Sequence, residues 1–243
     1  MKRILAIINT VAAYATAISL ILILLITSVD FNCFNKNFFA KEYTELNTAQ
    51  TLGMTEEDLN TATFTLLDYL KGDRDDIKVE IQVKGTKTDA FNAREASHMV
   101  DVRGLYEFAI LVRYISIGIL LASIVFMIAY AKTGAFTHLS IAYMKTAVLF
   151  AVFIGMVGVW ALADFDAFWT AFHRIAFRND LWLLNPNTDL MINLFPSAFF
   201  SKLVFRIIAG FVISFAALFS VSYFYLRHKL RKVHQEIIES EQS

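Results

Sequence analysis

Residues 4–27, ILAIINTVAAYATAISLILILLIT, decide the class of fold of this chain. The stretch carries no charged side chain and is longer than the ~20 apolar residues with which an α-helix crosses a bilayer. No water bonds to the backbone there, so the segment must be helical. Met1-Lys2-Arg3 precede it as in a signal peptide. We predict a retained helix, because a signal core has only about 7–15 residues and no small-x-small cleavage site follows.

Three further stretches are long and apolar enough to span a membrane, namely residues 106–131, 141–163 and 203–226. The sequence therefore predicts an all-α integral membrane protein with four transmembrane helices and a small α+β extracellular cap. The predicted order is helix 1–28, extracellular cap 29–105, helix 106–131, cytoplasmic loop 132–140, helix 141–163, extracellular aromatic helix and loop 164–202, helix 203–226 and cytoplasmic tail 227–243.

The basic residues near the short loops predict the orientation of the chain. If four helices alternate, three basic groups lie on one side, which places both termini in the cytoplasm. The groups are Lys2 and Arg3, then Lys132 and Lys145, and then Arg227, Lys229, Arg231 and Lys232. The formal net charge is +0, so nothing indicates a nucleic-acid partner.

Local patterns predict the elements of the cap. Thr55 begins a helix as its N-cap and Gly72 ends it. Apolar residues alternate with polar ones over residues 77–83, which predicts a strand that Gly85 closes, although its partner strand is not evident. A helical pattern resumes near Phe91 and runs into the second membrane helix.

The second outer segment reads as a helix, a loop and the start of another helix. A short aromatic helix is expected from about Asp164 to Phe177. A polar loop follows over residues 179–189. We expect Phe195-Pro196 to restart a helix, with Pro196 in its first turn, where a missing N–H costs little.

Topology sorts the five histidines. His138, His228 and His234 fall on the predicted cytoplasmic side, where exposed or interfacial histidines are unremarkable. His98 and His173 both fall near the predicted outer surface. An ionisable residue at such a position is a candidate functional residue.

Several interpretations of this pair stay open at the level of the residues. The two histidines could be structural residues at the membrane interface, or a general acid/base pair that Asp101, three residues after His98, would orient. A metal site could draw on both histidines together with Asp101 and Asp166, but no HExxH or clustered spacing is present. Ser97 is a weaker nucleophile candidate, because neighbours on a helix do not face each other and no GxSxG motif occurs.

Aromatic residues crowd the second outer segment. They are typical of an interfacial belt, yet phenylalanine is not a usual belt residue, so they could also wall an acyl-chain pocket. The residues that we predict to form this pocket are Trp169, Phe172, Phe177 and Phe195.

Two motifs carry a resemblance to a known family. FNAREASHMVDVR at residues 91–103 and AFHRIAFRNDLWLLNP at 171–186, which continues to Asp189 and Phe195-Pro196, resemble motifs of the bacterial lipoprotein intramolecular transacylases. With four spans and a cap, the similarity covers nearly the whole chain. The cap around residues 42–87 is less similar.

The resemblance implies an acyl transfer within one substrate. In a diacylated bacterial lipoprotein, the sn-2 acyl chain of the diacylglyceryl-cysteine moves to the α-amino group, which leaves a lyso-form lipoprotein. The family's two catalytic histidines fall on His98 and His173. No metal and no cofactor is implied, and the expected partners are the lipoprotein and membrane lipid.

The resemblance also suggests roles for neighbouring residues. We expect His98, backed by Asp101, to act as the base and His173 as the acid and oxyanion donor, although either could take either part. The candidate oxyanion donors and supporting residues are Arg103, Asn179, Trp182, Asn185 and Asp189. A non-catalytic protein that binds lipidated partners, and a metal-dependent lipid hydrolase, remain the competing functions.

Overall fold

The computed structural model describes residues 2–131 and 134–242, and most of them are helical. The helices are α1 (Lys2–Cys33), α2 (Lys36–Glu45), α3 (Thr48–Leu52), α4 (Glu56–Lys71), α5 (Ala93–Ala131), α6 (Ala135–Ala163), α7 (Phe165–Ala176), α8 (Leu190–Leu194) and α9 (Ser197–Gln242), and the strands are β1 (Glu80–Val83) and β2 (Thr86–Asp89). Within these ranges, α1, α5, α6 and α9 are long and apolar enough to cross a membrane. The predicted all-α membrane fold is confirmed. Lys132 and the start of the predicted 132–140 loop lie outside the described residues.

The ends of the long helices extend well past the apolar stretches. Helix α5 begins at Ala93 and continues without a break, as the pattern after Phe91 predicted. Helix α9 begins at Ser197, so Pro196 precedes the first turn, where its carbonyl accepts hydrogen bonds from later backbone N–H groups. The predicted tail 227–243 is helical as far as Gln242. Its apolar residues are sparse, and most of its described side chains are exposed.

The chain forms two compact units. One contains the described parts of Met1–Thr27, Leu111–Gly158 and Ala209–Ser243. In its core, Ala13 and Ala17 of α1 are buried together with Tyr143 and Phe215. Small residues allow helices to approach closely. The Tyr143 hydroxyl donates a hydrogen bond to the Phe215 carbonyl at 3.0 Å, so the buried O–H is satisfied.

The other unit contains Ser28–Ile110 and Val159–Ile208, and an aromatic core holds it together. Phe39 and Tyr43 of α2 pack on Phe199, with ring centroids 5.1 and 5.4 Å away. Helices α2 and α3 were not predicted from the sequence. Helix α4 is confirmed as predicted, with the Thr55 side chain accepting from the Asp58 N–H and Gly72 in the left-handed conformation after its end.

The partner of the predicted strand is the segment directly after it. Strands β1 and β2 form an antiparallel hairpin in which Val83 pairs with Thr86. Lys84 and Gly85 form the two-residue turn with φ of 51° and 78°, and this positive φ explains the glycine. All residues of β2 are exposed, so its sequence shows no apolar alternation. That is why the partner strand could not be recognised.

Candidate active site

His98 and His173 lie side by side, although they are far apart in the sequence. Their ring centroids are 6.1 Å apart with the planes inclined at 34°. His98 projects from α5 and is buried, whereas His173 projects from α7 and is half-buried. Phe177 packs on both rings, at 5.1 Å from His98 and 5.7 Å from His173. The two candidate catalytic residues therefore form one site.

The orientation of His173 follows from its own helix. Asp164 caps α7 by accepting from the Ala167 N–H at 2.9 Å. One turn before His173, the Trp169 carbonyl lies 2.8 Å from Nδ1. A carbonyl only accepts, so Nδ1 carries the proton and the neutral ring keeps its lone pair on Nε2. Burial lowers the pKa of His173, with the bond to Trp169 partly opposing it, and so favours this neutral form.

The second predicted outer segment also encloses the His173 ring. Trp169 meets it edge-on at 4.9 Å, and Trp182 lies against it at 5.1 Å. Trp182 was predicted as a supporting residue, and the structure brings it to the histidine. An indole N–H at this place can donate to a developing negative charge.

The predicted partner of His98 is engaged elsewhere. Asp101 Oδ2 accepts from Asn179 Nδ2 at 2.8 Å, and the Asn179 side-chain oxygen accepts from the Leu181 N–H. Within the described ranges, His98 Nδ1 is buried without a hydrogen-bond partner. Asp101 therefore holds the loop after α7 rather than the ring of His98. The Asn179 side chain thereby links Asp101 to the backbone of this loop.

Arg103 was a candidate oxyanion donor, and its guanidinium group is engaged by other parts of the cap. It pairs with Glu107 at 3.0 Å and donates to the Arg74 carbonyl at 3.2 Å. It also lies over the Tyr69 ring, 4.9 Å from the centroid. These contacts indicate a structural role for Arg103 in the cap.

Asn185 and Asp189 form hydrogen bonds that shape the loop. Asp189 Oδ2 accepts from the Asn185 N–H at 2.7 Å, and its Oδ1 accepts from Asn92 Nδ2 at 2.8 Å and from the Thr188 hydroxyl at 3.0 Å. These bonds, the one from Asn185 foremost, lower the pKa of Asp189. The carboxylate therefore acts as an acceptor that closes the loop onto α5.

Asn92 and Glu95, which were not predicted as site residues, hold the other side of this loop. The Asn92 side-chain oxygen accepts a hydrogen bond from the Glu95 N–H at 3.0 Å. In return, the Glu95 carboxylate accepts a hydrogen bond from the Asn92 N–H at 2.7 Å. The other Glu95 oxygen accepts from the Met191 N–H at 2.6 Å, at the start of α8. The spacing of Asn92 and Glu95 is that of a capping box, which could have identified the pair.

The predicted acyl-pocket residues divide into two groups. Trp169 stacks on Phe172 at 5.1 Å, and Phe177 joins the two histidines. Phe195 instead belongs to the aromatic core of its unit, where it meets Phe39 and Phe199. It also meets Phe200, which packs on Trp169 at 4.6 Å, so its predicted place in the acyl pocket stays a prediction.

An open cavity of about 360 Å³ adjoins Phe177. Its lining combines apolar surface with the Asp101–Asn179 pair. The lining residues are Val100, Asp101, Gly104, Leu105, Ala176, Phe177, Arg178 and Asn179. The cavity is large enough for part of a lipid or a short peptide.

The residues considered for metal or serine chemistry are not arranged for either. Among residues 2–131 and 134–242, no group of three or more His, Cys, Asp or Glu is placed to hold a metal. The Asp166 carboxylate accepts from the Ser197 hydroxyl at 2.6 Å. The Ser97 hydroxyl donates to the Ala93 carbonyl at 2.8 Å, which is a local helix bond.

Comparison with known protein families places the whole site in context. A family model for lipoprotein intramolecular transacylase Lit matches residues 14–200, a range that includes both histidines and the loop that encloses them. The chain belongs to the lipoprotein intramolecular transacylase Lit family. It is accordingly an acyltransferase with four apolar helices, and the resemblance of its two motifs to this family is confirmed.

Solved structures agree with the Lit fold. The structure of the lipoprotein intramolecular transacylase Lit from Bacillus cereus aligns with a TM-score of 0.70 at 20% identity, covering 96% of this chain and 100% of that one. Two variants of the same B. cereus Lit, with a histidine changed to arginine or to alanine, align with a TM-score of 0.67 at 18% identity. The arginine variant covers 95% of this chain and 96% of that one, and the alanine variant 95% and 97%. No curated protein matches the chain by sequence.

Proposed function

We propose that this chain moves the sn-2 acyl chain of a diacylglyceryl-cysteine lipoprotein to the α-amino group of the same molecule, giving a lyso-form lipoprotein. Membership of the Lit family supports the reaction class. The observation that carries the proposal is the pairing of His98 and His173 at 6.1 Å beside an aromatic wall. A neutral imidazole that can accept a proton, beside a second ring that can donate an N–H, suits a reaction that moves one proton.

The hydrogen bond from His173 to the Trp169 carbonyl supports His173 as the base. The neutral amine attacks the ester carbonyl, and Nε2 of His173 accepts its proton as the C–N bond forms. The tetrahedral intermediate closes a ring of about eight atoms, which forms poorly unless it is held. When the ester C–O bond breaks, His173 returns the proton to the glyceryl oxygen, so the proton count balances.

In this scheme His98 supplies an N–H donor to the oxyanion. Its burial and its lack of a bond to Asp101 favour this role over that of a base oriented by a carboxylate. The scheme reverses the division of roles that the sequence suggested. Trp182, against the His173 ring, is the second proposed donor.

We further propose that the reaction takes place at the outer surface of a bacterial cell membrane, with both termini in the cytoplasm. The basic residues at both ends of the chain support this orientation. Trp169, Phe172 and Phe177 provide apolar surface for the migrating acyl chain. The lipoprotein and membrane lipid are the proposed partners, and the scheme needs no metal, cofactor or nucleic acid.

Mass spectrometry of a lipoprotein N-terminal peptide tests this function. A host that lacks the activity is compared with and without the full chain. We expect an unchanged total mass with one acyl group moved to the α-amine. His98→Ala and His173→Ala should abolish this movement of the acyl group to the α-amine. His138→Ala, which replaces a histidine of the other unit, should retain it.

Other results separate the competing functions. An unaltered diacyl peptide that co-purifies with well-expressed protein would support a binding module. Loss of one acyl chain would indicate a hydrolase. Product formation by both His98→Ala and His173→Ala would reject the proposed catalytic roles of the two histidines.

A further inference from the structure

Helix α9 carries a groove in the unit that does not contain the histidine pair. The groove has a volume of about 590 Å³. Met144 of α6 contributes one wall. The remaining lining residues, spaced three or four apart on a single face of α9, are Tyr223, Leu226, Arg227, Leu230, Arg231 and His234.

The neighbouring face of α9 packs on the start of α6. The Tyr225 ring meets Phe136 at 4.4 Å, and its hydroxyl lies 3.1 Å from the Thr137 hydroxyl. The Lys229 ammonium donates to the same Thr137 oxygen at 2.7 Å. These contacts give the Lys229 ammonium a hydrogen-bond partner and pack this face of α9 against α6. The groove lies on the adjacent face of α9, which is exposed.

The cations that face the groove have no such partner. Among the described residues, the Arg227 and Arg231 side chains form no hydrogen bond or salt bridge, and both are exposed. They lie one helical turn apart, with guanidinium groups that can hold a phosphate by several N–H donors. Leu226 and Leu230 place apolar surface beside them.

This combination points to one class of ligand. Guanidinium groups beside an apolar wall complement a molecule with an anionic head and a hydrocarbon tail. The apolar part of α9 is long enough to span a membrane, so such molecules surround it. Basic clusters directly after a membrane helix attract anionic lipid.

We propose that this groove binds an anionic phospholipid of the surrounding membrane. The phosphate is held by Arg227 and Arg231, with His234 beside them, and an acyl chain lies along Leu226, Leu230 and Met144. The site is independent of the proposed reaction. A diacylglyceryl-cysteine carries no phosphate, so the groove does not match the substrate.

Native mass spectrometry of the full chain in mild detergent tests the site. The protein is titrated with phosphatidylglycerol and, separately, with phosphatidylcholine of the same acyl chains. We expect preferential binding of phosphatidylglycerol and an affinity loss of at least about tenfold on Arg231→Ala alone, since charge-assisted hydrogen bonds to the phosphate are removed. Lys232→Ala removes one charge outside the groove and should cost no more than about fivefold.

Four results would overturn the proposal. The first two are equal affinities for both lipids, and an affinity loss with Lys232→Ala as large as that of the groove variant. The other two are displacement of the lipid by an equal concentration of inorganic phosphate, and a protein dimer in place of the lipid adduct. The thermal unfolding midpoint identifies a variant that fails to fold. In that case Leu230→Asn, which changes the exposed apolar wall without adding a charge, should weaken phosphatidylglycerol binding, and full binding by that variant would also reject the site. Acyl transfer should persist in every folded variant, so failure of the site and failure of the proposed function give different results.

Discussion

Glu95 accepts a hydrogen bond from the Met191 N–H at 2.6 Å, across 96 positions of sequence. The same carboxylate accepts from the Asn92 N–H at 2.7 Å and is 1% exposed. One buried carboxylate thus accepts hydrogen bonds from backbone N–H groups at the start of α5 and at the start of α8. The loop that carries Trp182 to His173 ends at this junction.

We expect Glu95→Ala to lower the free energy of unfolding by about 2–6 kcal/mol. Two backbone N–H groups lose their acceptor, and each unsatisfied buried group costs about 1–3 kcal/mol. Glu95→Gln retains one acceptor oxygen and should cost less. Denaturant unfolding in detergent measures both. Glu107→Ala, on the exposed side of the same helix, should change stability little, and an equal loss there would contradict this role of Glu95.

The loop after α7 should open when Asp189 is changed. Asp189→Ala removes the acceptor of the Asn92, Asn185 and Thr188 bonds, so the loop loses its attachment to α5. Trypsin should then cut faster after the exposed Arg178. Asn187→Ala is the matched control, since this exposed residue of the same loop bonds to Asn185 through its backbone N–H. Equal cleavage rates in the two variants would refute this role of Asp189.

Burial of His173 predicts how stability depends on pH. The pKa of the folded residue lies below the value of about 6.5 for an unfolded histidine. As the pH falls below about 6.5, the unfolded chain binds a proton that the folded one does not yet bind, and stability decreases until the pH passes the lower pKa. His173→Phe should therefore lose less thermal stability between pH 7.5 and pH 5 than the parent chain.

The control for this pH effect is His228→Phe, which replaces an exposed histidine of α9. We expect it to reproduce the parent dependence. A His173→Phe profile identical to the parent profile would show that His173 does not remain neutral in the folded protein.

Gly53 follows α3 with a φ of 70°, and a Cβ there would lie 2.8 Å from Lys84 Cγ. Gly53→Ala should therefore destabilise the protein by about 1–2 kcal/mol from the left-handed backbone alone, and further through the contact. Gly104→Ala lies within helix α5 with open space around it, and should be neutral or stabilising by about 0.5–1 kcal/mol. Thermal unfolding midpoints compare the two, and opposite signs are the expected result.

Acyl transfer should survive the removal of divalent metal. The proposed proton transfers use only the two imidazoles and the substrate amine, whose pKa of about 7.7–8.0 lies within reach of a neutral histidine. EDTA should leave the transacylated product unchanged and release no free fatty acid. Loss of product that Zn²⁺ restores would replace this scheme with a metal-assisted one.

Local sequence determined the membrane helices and several element ends. Each span is long and apolar enough that a helix is the only way to satisfy its backbone in lipid. Thr55 and Gly72 bound α4 because a hydroxyl cap and a left-handed glycine act within one turn. The same holds for Asp164 before α7. The family motifs also predict His98 and His173 as the catalytic pair.

Only the tertiary structure decided how the site is assembled. The 6.1 Å between the two histidines, the bond from Asn179 to Asp101 and that from Met191 to Glu95 join residues far apart in sequence. No local pattern encodes such pairs, because each side chain could satisfy its hydrogen bonds with several partners. Helix spacing predicted Asp101 as the partner of His98. In the folded protein the Asp101 carboxylate instead accepts a hydrogen bond from Asn179 of the loop. The tautomer of His173 likewise depends on a carbonyl that only the folded helix places at 2.8 Å.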